Sequence, residues 1–154
     1  MASKKVSARI AAEKSGEWLI RGARVVTMDA HWHVFDGDVR IRDGRIAELG
    51  KKLRARRGET TVDARGHLVI PGLVQCHVHL CQALFRNTAD DLPLLDWLKT
   101  RIWPYEAAHD KKSMKASAEL GLAEMIGAGT TTILDMGSVH HQDVVFEAML
   151  GGGI

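Results

Sequence analysis

Residues 71–80, Pro-Gly-Leu-Val-Gln-Cys-His-Val-His-Leu, place two histidines two positions apart at the end of a short apolar run. Side chains at i and i+2 of a β-strand point to the same face. A strand here therefore sets His77 and His79 side by side and turns Val74, Cys76 and Val78 to the other face. Neutral imidazole is the commonest protein ligand for Zn²⁺ and related ions, and a strand holds two of them at a fixed separation. His77 and His79 are the candidate metal ligands. His31-Trp32-His33 repeats the spacing, but Met28-Asp29 before it and Asp36-Gly37 after it are turn signals, so it reads as an exposed strand or loop of a small sheet. Cys76 and Cys81 invite a four-ligand Cys/His zinc module, yet alternation turns Cys76 away from the imidazoles. Two cysteines without a framework of partners suit a reducing compartment.

Downstream of Pro71-Gly72 the pattern alternates strand and helix. Leu73–Leu80 reads as the first strand. Leu94, Leu95, Leu98 and Ile102 form a helical stripe expected to end at Pro104. Asp110 is the expected N-cap of a helix carrying Met114, Ala118, Leu122, Met125 and Ile126, closed by Gly127 and Gly129. Thr130–Met136 is a β-branched strand containing Asp135, and Val144–Leu150 a further helix closed by Gly151-Gly152-Gly153. Strand, helix, strand, helix implies a parallel βαβ unit with function at the C-terminal ends of its strands, where His77, His79 and Asp135 lie. Two parallel strands cannot close a barrel. The expectation is the N-terminal part of a longer protein, with a third strand beginning near Ile154.

Upstream, residues 1–16 lack a sustained apolar face and read as a flexible tail. Trp18–Met28, Asp38–Arg42, Arg45–Leu49, Thr60–Ala64 and His67–Ile70 read as short strands, with Asp43-Gly44 as a two-residue hairpin turn. These predict a small antiparallel sheet with one wet face. The expected divisions are a tail over 1–16, a β-domain over 17–72 and a βαβα portion over 73–154.

At 154 residues, 45% hydrophobic and 26% charged, the chain is long enough for a real core. No apolar run approaches the ~20 residues of a membrane span, and the N-terminus shows no signal-like apolar stretch, so the expected setting is cytoplasmic. Residues 1–70 carry 15 Lys/Arg against 9 Asp/Glu, and residues 71–154 carry 6 against 10. The basic run Lys51–Arg57 has no interleaved aromatic residues for base stacking. It reads as a solvated loop, not a nucleic-acid surface.

The Pro71–Leu80 stretch resembles the Pro-Gly-(apolar)₂-x-x-His-x-His signature of the metal-dependent amidohydrolase superfamily. Leu84-Phe85-Arg86, Asp90–Leu98, Ile102–Glu106 and Gly129–Met136 resemble the branch holding adenosine-type nucleoside deaminases and s-triazine chlorohydrolases, the likeness covering about residues 17–154. The resemblance implies an α/β fold, the start of a (β/α)₈ TIM barrel preceded by the N-terminal part of a small β-sandwich domain. It implies one divalent metal, Zn or Fe, held in part by His77 and His79. It also implies a metal-activated water that displaces ammonia from an adenosine-like nucleoside. No catalytic acid or base falls within this chain under that reading; those groups are expected beyond Ile154, and residues 1–154 alone are expected to be inactive. Trp97 and Glu106 match pocket-lining residues, the Glu facing the ribose hydroxyls, while Gln82 and His140 are further substrate-contact candidates. Asp135, read by itself, is expected only to orient neighbours by hydrogen bonding. An s-triazine-type chlorohydrolase or another heterocycle deaminase is the alternative within the class, and a non-catalytic truncated or zinc-binding structural module the alternative outside it. The expected partners are a small-molecule substrate and either a second copy or the rest of the barrel, with neither nucleic acid nor membrane.

Overall fold

A computed structural model describes residues 16–89 and 91–154. The tail expected over residues 1–16 lies outside the described residues apart from Gly16. The chain divides between Pro71 and Gly72 into two compact units.

In the first unit, β1 (Trp18–Val26), β2 (Val34–Arg42) and β3 (Arg45–Gly50) form an antiparallel meander. Asp43 and Gly44 turn the β2–β3 hairpin with positive φ at both residues, the geometry a two-residue type I′ loop demands. The sheet is not antiparallel throughout. β4 (Thr60–Asp63) and β5 (Leu68–Val69) both pair with β1 in parallel, giving the order β3-β2-β1-β4 with β5 also beside β1. A parallel partner cannot follow from a tight hairpin, so residues 51–59 carry the chain back along the sheet before β4 starts. That basic connection is mostly exposed, as a solvated loop should be. Arg40, 2% exposed, anchors it: its guanidinium donates to Glu59, to Glu48 and to the Arg54 carbonyl. Ala23, Val25, Val39 and Ala64 form the core of the unit. The His31/His33 pair sits in an exposed turn between β1 and β2.

The second unit starts with β6 (Leu73–Val78), which pairs in parallel with β7 (Thr130–Asp135). Between them run a 3-10 turn (Leu80–Phe85), a composite helix α1 (Leu94–Ala107) and the long helix α2 (Lys111–Gly127). Helix α3 (Gln142–Gly152) follows β7. Asp110 caps α2 through a reciprocal capping box with Ser113. Met114, Ala118 and Leu122 turn its apolar face onto Val78, Leu80 and Cys81, and Val144 and Val145 of α3 complete the core. Gly121 suits this close approach: a methyl there would stand 3.0 Å from Leu80 Cδ2, so the leucine side chain would have to give.

Two further expectations are corrected here. Helix α1 does not end at Pro104. It is α-helical over Leu94–Trp97, π over Leu98–Ile102 and α-helical again over Trp103–Ala107. The π turn lets the Trp103 N–H bond the Leu98 carbonyl, and Pro104, which has no N–H to donate, falls in the first turn of the restarted α-helix where none is required. The leucine stripe is only partly buried, with Ile102 3% exposed but Leu94 and Leu95 65% and 59%. Finally, α3 continues through Gly151 and Gly152 and closes on Gly153 in the left-handed conformation.

Candidate metal and substrate site

The His-x-His pair behaves as strand geometry requires. His77 lies near the C-terminal end of β6 and His79 just past it, while Val78 between them is buried against α2 and α3. The two Nε2 atoms stand 3.1 Å apart, with ring centroids 5.1 Å apart and planes tilted by 56°. Two nitrogens each bonded at ~2.0–2.1 Å to a tetrahedral Zn²⁺ would lie roughly 3.3 Å apart. The donor set and its spacing therefore fit one shared divalent ion. Among the described residues no group of three or more His, Cys, Asp or Glu side chains is placed to hold a metal, so the described residues offer the pair no third donor. Cys76 is exposed and Cys81 buried, both free thiols.

Asp135, at the end of β7, ties down the backbone next to the pair. Its Oδ1 accepts the Leu80 N–H at 2.9 Å, and its Oδ2 accepts the Gly137 N–H at 3.0 Å and the Gln142 side-chain amide at 3.3 Å. The Met136 N–H adds a 2.7 Å bond to the Val78 carbonyl. The residues on both sides of His79 are thus fastened to the neighbouring strand end.

The 3-10 turn leads from the pair to the other candidates. A cleft of about 390 Å³ is lined by His77, His79, Gln82 and Arg86 among others, and a neighbouring one of about 270 Å³ by Gln82, Arg86, Trp97 and Ile102. Gln82 faces both. Its side-chain amide donates to Glu106 Oε1 at 2.8 Å, and the Cys81 thiol donates to the same oxygen at 3.4 Å. Glu106 is 7% exposed. Its Oε2 accepts no hydrogen bond among the described residues. Burial first, and the Glu106 carboxylate after it, push the Cys81 thiol up to about 12, so it remains a neutral donor. The structure brings His77, His79, Gln82 and Trp97 around adjoining clefts, with Glu106 buried behind Gln82. It does not bring His140 there: that imidazole is exposed on the β7–α3 connection, its ring 6.2 Å from that of His141.

Sequence reading missed the role of Cys81 and missed His109 altogether. His109 is 7% exposed and bonds the Cys81 carbonyl at 2.8 Å. Its one local signal is its place beside the N-cap Asp110, which says nothing of a contact 28 residues back along the chain.

The amidohydrolase family model matches residues 68–151. The chain is 44% identical over 121 residues to the 5-methylthioadenosine/S-adenosylhomocysteine deaminase of Thermococcus onnurineus, covering 79% of this chain and 28% of that protein. It is 42% identical over 119 residues to the 5′-deoxyadenosine deaminase of Methanosarcina mazei, covering 77% and 27%. It therefore spans a little over a quarter of the length of these relatives. Among solved structures, it matches a zinc-bound adenosine deaminase from Xanthomonas campestris with a TM-score of 0.70 at 28% identity, over 88% of this chain and 32% of that one. The zinc complex of an atrazine chlorohydrolase from Arthrobacter aurescens matches with a TM-score of 0.77 at 27% identity, over 89% and 34%. With the family model covering more than half of its residues, and with the His-x-His pair inside that span, this chain belongs to the amidohydrolase family.

Proposed function

We propose that this chain supplies the first metal ligands and the ribose-facing wall of a hydrolytic deaminase acting on adenosine-like nucleosides. The reading places β6 and β7 as the first two strands of a (β/α)₈ barrel, and the β1–β5 sheet as part of a small β-sandwich. The single observation that carries the proposal is the 3.1 Å separation of the His77 and His79 Nε2 atoms beside a cleft whose wall leads to a buried carboxylate. The names of the relatives supply the substrate class.

His77 and His79 would hold a divalent ion, zinc by analogy with the solved neighbours, with further ligands coming from elsewhere in the intact protein. When bound, such an ion lowers the pKa of a coordinated water towards neutrality and so provides the nucleophile. The remaining work of this chain is positioning. Asp135 fixes the backbone beside His79. Gln82 and Cys81 hold Glu106 through one oxygen, which leaves the other to accept from the vicinal hydroxyls of a ribose. Trp97 offers an apolar wall to the same region. The buried, oriented carboxylate favours a nucleoside over an s-triazine, which has no hydroxyl to donate. An intracellular setting and assembly into homo-oligomers belong to the same proposal.

The test is turnover by the intact protein. It should release ammonia from adenosine or 5′-deoxyadenosine. Glu106→Ala should lower kcat/KM for nucleosides by some tens to hundreds of fold, the equivalent of about 2–4 kcal/mol of charge-assisted hydrogen bonding, and leave any s-triazine turnover nearly unchanged. Equal losses on substrates with and without ribose would refute the role of Glu106, and absence of deamination by the zinc-loaded protein would refute the function.

A further inference from the structure

Glu106 is held by a closed ring of hydrogen bonds, and one member of that ring has no part in the function proposed above. His109 Nε2 lies 2.8 Å from the Cys81 carbonyl, which can only accept, so that nitrogen carries the proton. Cys81 and the adjacent Gln82 donate their side-chain hydrogens to Glu106 Oε1. The His109 backbone N–H returns to the Glu106 carbonyl at 3.3 Å, which closes the ring. The imidazole has little freedom to leave this place. Its Nδ1 faces Ser113 Oγ at 2.9 Å, and its ring stacks on Phe85 at 4.9 Å with planes 28° apart.

We infer that His109 is a positioning residue for substrate choice: by pinning the Cys81 carbonyl it sets the 3-10 turn at the angle from which Cys81 and Gln82 hold Glu106 Oε1, and so aims Oε2 at the ribose hydroxyls. The inference rests on the reading of Glu106 as the ribose-facing carboxylate. One feature separates it from simple packing: the carbonyl that His109 pins belongs to Cys81, whose thiol itself donates to Glu106 Oε1. Of similar side chains, Gln can bring an amide N–H close to the position of Nε2, while Asn, one methylene shorter, reaches only as far as Nδ1.

The experiment compares His109→Asn, His109→Gln and Glu106→Gln in the intact, zinc-loaded protein, with adenosine and 2′,3′-dideoxyadenosine as substrates. Zinc content and thermal midpoint are measured for each variant. The expected result is that His109→Asn lowers kcat/KM for adenosine about tenfold, mostly through KM, as loss of one positioning hydrogen bond should. The dideoxy substrate should change less than twofold, zinc content should stay the same, and His109→Gln should recover to within threefold of the parent. If Glu106→Gln is selective against adenosine but both His109 variants behave as the parent, the ribose reading stands and the role of His109 is overturned. If Glu106→Gln shows no selectivity, both fall. Equal losses on the two substrates together with a lowered thermal midpoint in both His109 variants would show a structural role only and overturn the inference.

Discussion

Two imidazole nitrogens 3.1 Å apart can share one proton or one metal ion between them, and the carboxylate of Asp135 fastens the backbone beside them. In Asp135→Asn one carboxylate oxygen becomes an NH₂ that meets either the Leu80 N–H or the Gly137 N–H and Gln142 donors, so a donor faces a donor. We expect the variant to bind zinc 10–100-fold more weakly in competition with a chromogenic chelator, the usual cost of losing a group that orients a ligand. Unchanged affinity would mean that His79 needs no support from β7. Cys81 gives a second prediction at this scale. Its thiol is raised from 9.0 to about 12, so the folded state holds a proton that the unfolded chain releases near its ordinary value. The associated stability is complete below pH 9 and is lost as pH rises from there towards 12. Cys81→Ala should flatten that alkaline fall in urea titrations, and iodoacetamide at pH 8 should label exposed Cys76 while sparing Cys81 in the native protein. Equal labelling of the two would contradict the burial of Cys81.

Among the elements, those set by local pattern were legible and those set by pairing were not. The strand ending in His-x-His, the Asp43-Gly44 hairpin and the Asp110 cap each depend on residues within a few positions of one another. The parallel pairing of β4 and β5 with β1 depends on a long connection held by Arg40, and alternating short strands carry no record of which neighbour they will take. Pro104 misled for a related reason: its rule concerns a regular α-helix, and the π turn before it removes the conflict. At the candidate site, His77 and His79 were readable from spacing alone, whereas the contact of Glu106 with Cys81 and Gln82 arises where α1 folds back on the 3-10 turn. The buried guanidinium of Arg40 is the test at this scale. Arg40→Ala takes the guanidinium donor from Glu59 Oε1, the Arg56 N–H staying on Oε2, and frees the Arg54 carbonyl of the 51–59 connection. The sheet should unfold at a lower denaturant midpoint, and an unchanged midpoint would show that the connection holds itself.

For the molecule as a whole, the outstanding property is the apolar surface of the second unit. Val74, Leu134, Phe146 and Leu150 are 62%, 60%, 56% and 83% exposed, and β6 and β7 are the only strands of their sheet among the described residues. Open sheet edges and apolar faces seek partners. A polypeptide of these 154 residues should therefore elute from size exclusion as an oligomer and show no deamination with added zinc; a monodisperse, cooperatively folding monomer would contradict that expectation. No described helix is long and apolar enough to cross a membrane. If His77 and His79 hold the metal on which the activity depends, metal analysis of the intact protein will show it. One divalent ion per chain is expected by inductively coupled plasma mass spectrometry, lost together with deamination in both His77→Ala and His79→Ala while each variant keeps its native circular dichroism. Retention of stoichiometric metal by either folded variant would contradict it.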